Sequence, residues 1–356
     1  MGLTLRHEVL DLALRDRFLI ARSEHGSGRS ITTVVVELRD ERLPGIVGLG
    51  EGFPDRYYGE TPATMAAVFP RLLGHVGEIA DQLGDAVSAR HELERIADAW
   101  HADLRWNGAA KCALDIALHD LAGKVLGLPV HRLLELAATI PPTDFTLGLD
   151  EPSIVAERAV RAARFPALKI KVGGREDVAT LRAVRDVYAG PLRVDANTGW
   201  SRDDAEGLLP ELIELGVELI EQPFRAEAQR DLGWLQERSA LPIVADESAM
   251  TIDDLEGLVG LVAGVNVKLA KCGGVGPAKR MLERARELGF RTFLGCMEET
   301  SVGIAASAAV ASLAEWVDLD GNLLLADDPF DGLELDEACR WRLGDRPGLG
   351  LVRRMP

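Results

Sequence analysis

Eight short apolar or β-branched segments follow one another after Pro129 at nearly constant intervals, each separated from the next by an amphipathic stretch. They read DFTLGLD, ALKIKVG, PLRVDAN, ELIEQP, PIVADES, GVNVKLAK, FRTFLGC and EWVDLDG. Thr146, Lys171, Asp195, Glu221, Asp246, Lys268, Cys296 and Asp318 mark their C-terminal ends, at steps of 25, 24, 26, 25, 22, 28 and 22 residues. Strands that alternate with helices in this way form βα units, and eight of them close a parallel barrel. The even step reflects architecture, because the segments do not repeat one another in sequence.

The first third has a different rhythm. Residues 1–52 alternate as strands do, notably in ITTVVVELRD and GIVGLGEG, which predicts an antiparallel meander. From Thr61 to about Leu126 the pattern is helical, in TPATMAAVFPRLLGHVGEIADQL, HELERIADAWHADL and NGAAKCALDIALHDLAGKVLG. The chain of 356 residues thus divides into an α+β domain over 1–128, rejoined by the tail 325–356, and a barrel over 129–324. A net charge of −17 lacks the basic face that nucleic acid requires. No apolar run approaches the roughly 18 residues of a membrane span, and the N-terminus lacks the apolar core of a signal peptide. Cys112, Cys272, Cys296 and Cys339 are too dispersed for a disulfide framework, so reduced thiols and a cytoplasmic location are expected.

Charged residues are costly in strands buried on both faces, yet these strands carry Lys169, Lys171, Asp195, Glu221, Asp246, Lys268 and Lys271. Solvated strand ends explain one such residue more easily than the set. Three carboxylates end three successive strands and lysines flank them, which places all of them at the mouth where barrel enzymes keep their active sites. Asp195, Glu221 and Asp246 offer only oxygen, a donor set that suits one hard divalent cation such as Mg²⁺. Such an ion keeps positions open for a substrate carboxylate and stabilises the ene-diolate formed when an α-proton leaves. Lys171 and Lys268 lie on either side of the carboxylates, so one could remove a proton and the other return it to the opposite face. A nearby cation and burial are expected to depress their pKa values.

LKIKVGG, RVDANTGW, IEQP, ADES and VNVKLAKCGG, in this order, resemble the muconate-lactonising subgroup of the enolase superfamily, and within it the dipeptide epimerases. The resemblance covers nearly the whole chain. It implies a modified TIM barrel of (β/α)7β form with an N-terminal capping domain, Lys171 and Lys268 as the acid/base pair, and Lys169 polarising the substrate carboxylate. The pairing of a Lys or His base with Mg²⁺ in this superfamily is general knowledge of such sites. All seven histidines precede the barrel strands, so the His–Asp dyad of the mandelate-racemase-like branch has no source here.

Asp318 and Asp320 share a strand face in WVDLDG, and this pair resembles the one with which dipeptide epimerases hold the substrate ammonium. Thr146 resembles a position that contacts the dipeptide backbone, Cys296 and Met297 occupy the loop that closes over the substrate, and Arg22 resembles the arginine that pairs with a glutamate side chain. Glu51, Asp55 and Glu298 add negative charge near the expected mouth, which opposes an anionic substrate side chain unless Arg22 or Arg56 offsets it. The resemblance therefore implies Mg²⁺-dependent epimerisation of a dipeptide by a homo-oligomer. N-acylamino acid racemisation, o-succinylbenzoate synthesis and muconate cycloisomerisation stay open beside it, as does a catalytically silent binding protein.

Overall fold

The computed structural model describes residues 2–21 and 28–354. Three antiparallel strands, β1 (Leu3–Ala13), β2 (Ser30–Asp40) and β3 (Gly48–Gly52), form the expected meander in the order β1-β2-β3. The eight predicted segments become β4 (Phe145–Leu147), β5 (Leu168–Lys171), β6 (Leu192–Asp195), β7 (Val217–Glu221), β8 (Ile243–Ala245), β9 (Gly264–Lys268), β10 (Arg291–Gly295) and β11 (Trp316–Asp318). All are parallel and in sequential order. Thr143, just before β4, bridges to Val317 of β11 in parallel register and closes the ring.

Two of the predicted helices have different bounds. The run 61–83 splits into a helix over Pro62–Leu73 and a tight turn over Ile79–Gln82, because Gly74 ends the first and Gly77 adopts φ +63° between them. The second helix starts at Ala86, earlier than its apolar periodicity indicates, since the Asp85 side chain accepts from the amides of Val87 and Ser88 and fixes the N-terminus.

The third helix, Gly108–Leu126, joins the two parts of the molecule. Every residue from Gly108 to Gly123 is buried, so it has no solvent face. On one side it meets β3 through glycine alone. A Cβ added at Gly48, Gly50 or Gly52 would lie 2.2, 2.0 or 2.1 Å from the carbonyl oxygens of Ala117, Ala113 and Ala109. Two strand residues advance about 6.6 Å and four helix residues about 6 Å, so the alternate glycines stay in step with the every-fourth alanines. On its other side the start of the helix abuts the carbonyls of Ala270 and Lys271, just beyond β9. Gly50→Ala should therefore lower stability by roughly 1–3 kcal/mol or more through overpacking. A denaturant midpoint equal to that of the parent would show that the contact can relax.

Beyond β11 the chain turns back. Leu325 bridges to Leu14, and the Ala326 amide donates to the Ala13 carbonyl at 2.8 Å. The tail then forms a two-stranded ribbon, β12 (Phe330–Asp331) with β13 (Val352–Arg353), and Arg353 pairs with Glu8 of β1 at 2.7 Å. Among the described residues no helix is long and apolar enough to cross a membrane.

Candidate active site

Asp195, Glu221 and Asp246 come from the ends of β6, β7 and β8, and each offers an oxygen within 4.8 Å of the others. All three are buried. The backbone leaves these strands through left-handed residues, Asn197 at φ +40°, Thr198 at φ +69° and Gln222 at φ +34°. Such conformations are costly for residues with side chains and concentrate at functional sites. Here they turn the chain sharply just after the carboxylates. Asp195 accepts the Asn197 amide at 2.9 Å and Glu221 accepts Asn266 Nδ2 at 2.8 Å, so each retains one oxygen free of neutral donors.

Four lysines surround the triad. Lys169 contacts Glu221 and Asp318 at 2.8 Å and Asp195 at 3.2 Å. Lys171 meets Asp195 at 2.7 Å from the β5 side, and Lys268 meets Asp246 at 2.9 Å from the β9 side. Lys271 reaches Asp246 at 2.5 Å and also donates to the carbonyls of Asp246, Ala249 and Asn266. Glu221 Oε2 and Asp246 Oδ2 are buried and receive no directed hydrogen bond despite the nearby ammonium groups. Each sits against an ammonium group alone, Lys169 at 2.8 Å and Lys268 at 2.9 Å, and a buried anionic oxygen with no neutral donor fits a divalent ion.

Burial and the neighbouring carboxylates act in opposite directions on Lys268 and Lys169. Burial favours a neutral Lys268, but Asp246, with Glu221 and Asp195, outweighs it and holds the pKa above the ordinary lysine value. Lys169 is likewise raised, by Asp318, Glu221 and Asp195 acting against burial. Lys169 and Lys268 thus serve as counter-ions of the triad carboxylates. Glu221 is pushed up to about 7 by burial and then by the charge of Asp195, while Asp195, despite its burial, is lowered to about 2 by Lys171 and Lys169.

Across the barrel seam, Asp318 ends β11 and Asp320 follows it. Asp318 accepts Lys169 Nζ at 2.8 Å and the Thr146 hydroxyl at 3.1 Å. Asp320 Oδ2 accepts the Thr146 amide at 2.6 Å. Thr146 therefore organises the aspartate pair, and its amide and hydroxyl are both engaged. A cavity joins Thr146, Lys169, Lys171, Lys268, Cys296, Met297, Glu298, Asp318 and Asp320. Phe18, Ile20, Asp55, Asn197 and Leu324 complete the lining.

Arg22 lies outside the described residues. Glu51 is not a charge at the mouth: it is buried and accepts from Thr33, from the amides of Thr300 and Gly303 and from the Thr300 hydroxyl, with burial raising its pKa. It ties β3 to the helix Ser301–Ala308, just after the loop bearing Met297 and Glu298. Arg56 sits in an exposed turn and does not line the cavity. Sequence reasoning passed over Asn266, although it precedes Lys268 by two residues on the same strand face, and gave Lys271 no role. Phe18 and Ile20 follow β1, Leu324 ends the short helix Gly321–Leu324, and the closed fold brings all three to the cavity.

Residues 154–354 match the family described as Enolase C-terminal domain-like, and residues 20–135 match the Mandelate racemase / muconate lactonizing enzyme N-terminal domain. The chain is 36% identical over 348 residues to the L-Ala-D/L-Glu epimerase of Bacteroides thetaiotaomicron, spanning 96% of this chain and 86% of that protein. It is also 36% identical to the L-Lys-D/L-Arg epimerase of Methylococcus capsulatus, over 97% of this chain and 99% of that one. Its fold is similar to the crystal structure of a dipeptide epimerase from Enterococcus faecalis complexed with Mg and L-Leu-L-Tyr, with a TM-score of 0.85, 31% identity and coverage of 99% and 100%. With both domain models matched and the carboxylate triad in place at the barrel mouth, the chain belongs to the enolase superfamily, alongside its dipeptide epimerases.

Proposed function

We propose that this protein is a Mg²⁺-dependent dipeptide epimerase that inverts the α-carbon of the C-terminal residue by 1,1-proton transfer. One observation carries the reading: Lys171 and Lys268 approach a single carboxylate triad from opposite flanks, and a buried aspartate pair faces the same cavity. The triad Asp195, Glu221 and Asp246 would hold the ion, which when bound supplies positive charge to a substrate carboxylate whose α-proton is leaving. Lys171 and Lys268 take and return that proton on opposite faces. Lys169, already fixed by three carboxylates, supplies fixed positive charge beside the substrate carboxylate. Phe18, Ile20 and Met297 give the cavity an apolar wall.

Asp318 and Asp320 bind the dipeptide ammonium. Asp318 is largely neutralised by Lys169, whereas no N–H donor reaches Asp320 Oδ1 among the described residues. Asp320 is therefore the principal partner of the ammonium. The three relatives above carry acidic, cationic and apolar side chains in the dipeptides their names give, so membership alone leaves the side-chain preference open.

A double-mutant cycle tests this reading. A charge-assisted contact of this kind contributes roughly 1.5–3 kcal/mol, so Asp320→Asn should lower kcat/KM on free dipeptides about ten- to a hundredfold. Acetylating the substrate amine should damage the parent enzyme similarly, and combining the two should cost much less than their product. Burial, and then the charge of Asp318, raise the pKa of Asp320 well above the usual aspartate range. An ammonium needs the ionised form, which predominates above that raised value. Activity on free dipeptides should therefore fall as pH drops through it, and this limb should vanish in Asp320→Asn. Equal turnover of acetylated or N-succinylated substrates by the parent would favour N-acylamino acid racemisation instead.

A further inference from the structure

Asp144, Asp318 and Asp320 lie together along the seam between β4 and β11. The Asp144 amide donates to the Val317 carbonyl at 3.0 Å, which sets Asp144 against Asp318, one layer below Thr146 on the inward face. Asp318 is held as an anion by Lys169 at 2.8 Å. Neighbouring buried carboxylates disfavour one another's ionised form, so the charge of Asp318 pushes its companions towards protonation.

The two companions differ in access. Asp320 lines the cavity, where a ligand ammonium can displace its proton. Asp144 is 1% exposed and does not line the cavity. Its Oδ2 accepts Arg193 Nη1 at 2.8 Å, and Arg193 is shared with Glu218 at 2.8 Å. Its Oδ1 is buried and has no conventional donor. The Asp318 side chain lies within hydrogen-bonding reach of the Asp144 carboxyl.

We propose that Asp144 stays protonated throughout the catalytic cycle and donates its hydrogen from Oδ1 to the carboxylate of Asp318, acting as a positioning residue for the ammonium site. Burial, and then the charge of Asp318, push its pKa well above the usual range in spite of Arg193. The donated bond keeps Asp318 turned towards Lys169 and Thr146, so that Asp320 alone changes its charge when a substrate ammonium arrives. The assignment of the ammonium rests on the dipeptide reading, whereas the protonation of Asp144 does not.

Asp144→Asn offers a neutral N–H donor of the same shape, while Asp144→Ala removes the donor. With a free dipeptide and Mg²⁺, the Asn variant should keep KM and kcat within about threefold, and the Ala variant should raise KM roughly ten- to a hundredfold with less effect on kcat. In infrared difference spectra at neutral pH, the parent should show the carbonyl stretch of a protonated carboxylic acid that Asp144→Asn lacks. An Asn variant as impaired in KM as the Ala variant, an Ala variant with the parent's KM, or absence of that stretch would each overturn the proposal. Should Asp144→Ala fail to fold, the Asn kinetics and the infrared band still decide. If the parent turns over no free dipeptide, the functional reading fails, and the band alone judges Asp144.

Discussion

Lys171→Ala and Lys268→Ala should each abolish epimerisation while leaving opposite halves of the exchange reaction intact. Inversion needs a proton removed from one face of the α-carbon and another delivered to the other, and the two ammonium groups flank the triad from β5 and β9. A positioned general base contributes roughly 10²–10⁴-fold, so net epimerisation should fall by at least that factor in either variant. In deuterated water one variant should still exchange the α-proton of one epimer, and the other variant that of the opposite epimer. Identical residual exchange from both epimers in both variants would contradict the assignment of two bases.

Loss of a single oxygen ligand should be nearly as severe. Asp195→Asn, Glu221→Gln and Asp246→Asn each remove one of three anionic ligands, and titration calorimetry should show greatly weakened Mg²⁺ binding with near-complete loss of turnover. Chelation of the parent should have the same outcome, reversed by adding Mg²⁺. Proton and metal compete for Glu221, whose pKa is pushed up to about 7 by burial and the charge of Asp195. Below that pH the group is increasingly protonated, so affinity should fall by up to about tenfold per unit, and it should level off above it. Glu221→Gln should remove this dependence. Asp246→Asn carries an added cost, because it strips the counter-charge from buried Lys268 and Lys271. Full activity in the presence of chelator would contradict the metal reading.

The barrel was legible because its signal is redundant. Eight strands each carry their own apolar run, and an error in one leaves the interval intact. Metal-ligand candidates could be found for a related reason: a carboxylate in a strand buried on both faces has few explanations, and three in succession have fewer. Helix limits in the cap were less legible. Asp85 starts a helix before its apolar periodicity begins, and Gly74 ends one within a stretch that remains apolar. Charge at the mouth was misread at Glu51, since only the folded chain brings Thr300 and Gly303 to its carboxylate from about 250 residues away. The same holds for Asp144. Its sequence context is that of any polar residue before a strand, and only the closing of the seam sets it against Asp318.

Epimerisation requires proton exchange at one carbon of a free dipeptide. The most direct measurement follows a library of L-Xaa-L-Yaa dipeptides, with acidic, basic and apolar side chains at both positions, with the parent enzyme and Mg²⁺ in deuterated water, by mass and by proton resonance. A single deuterium is expected at the α-carbon of the C-terminal residue, accompanied by formation of the L-D epimer and stopped by chelator. Absence of label across the whole panel, or label confined to the N-terminal residue, would contradict it.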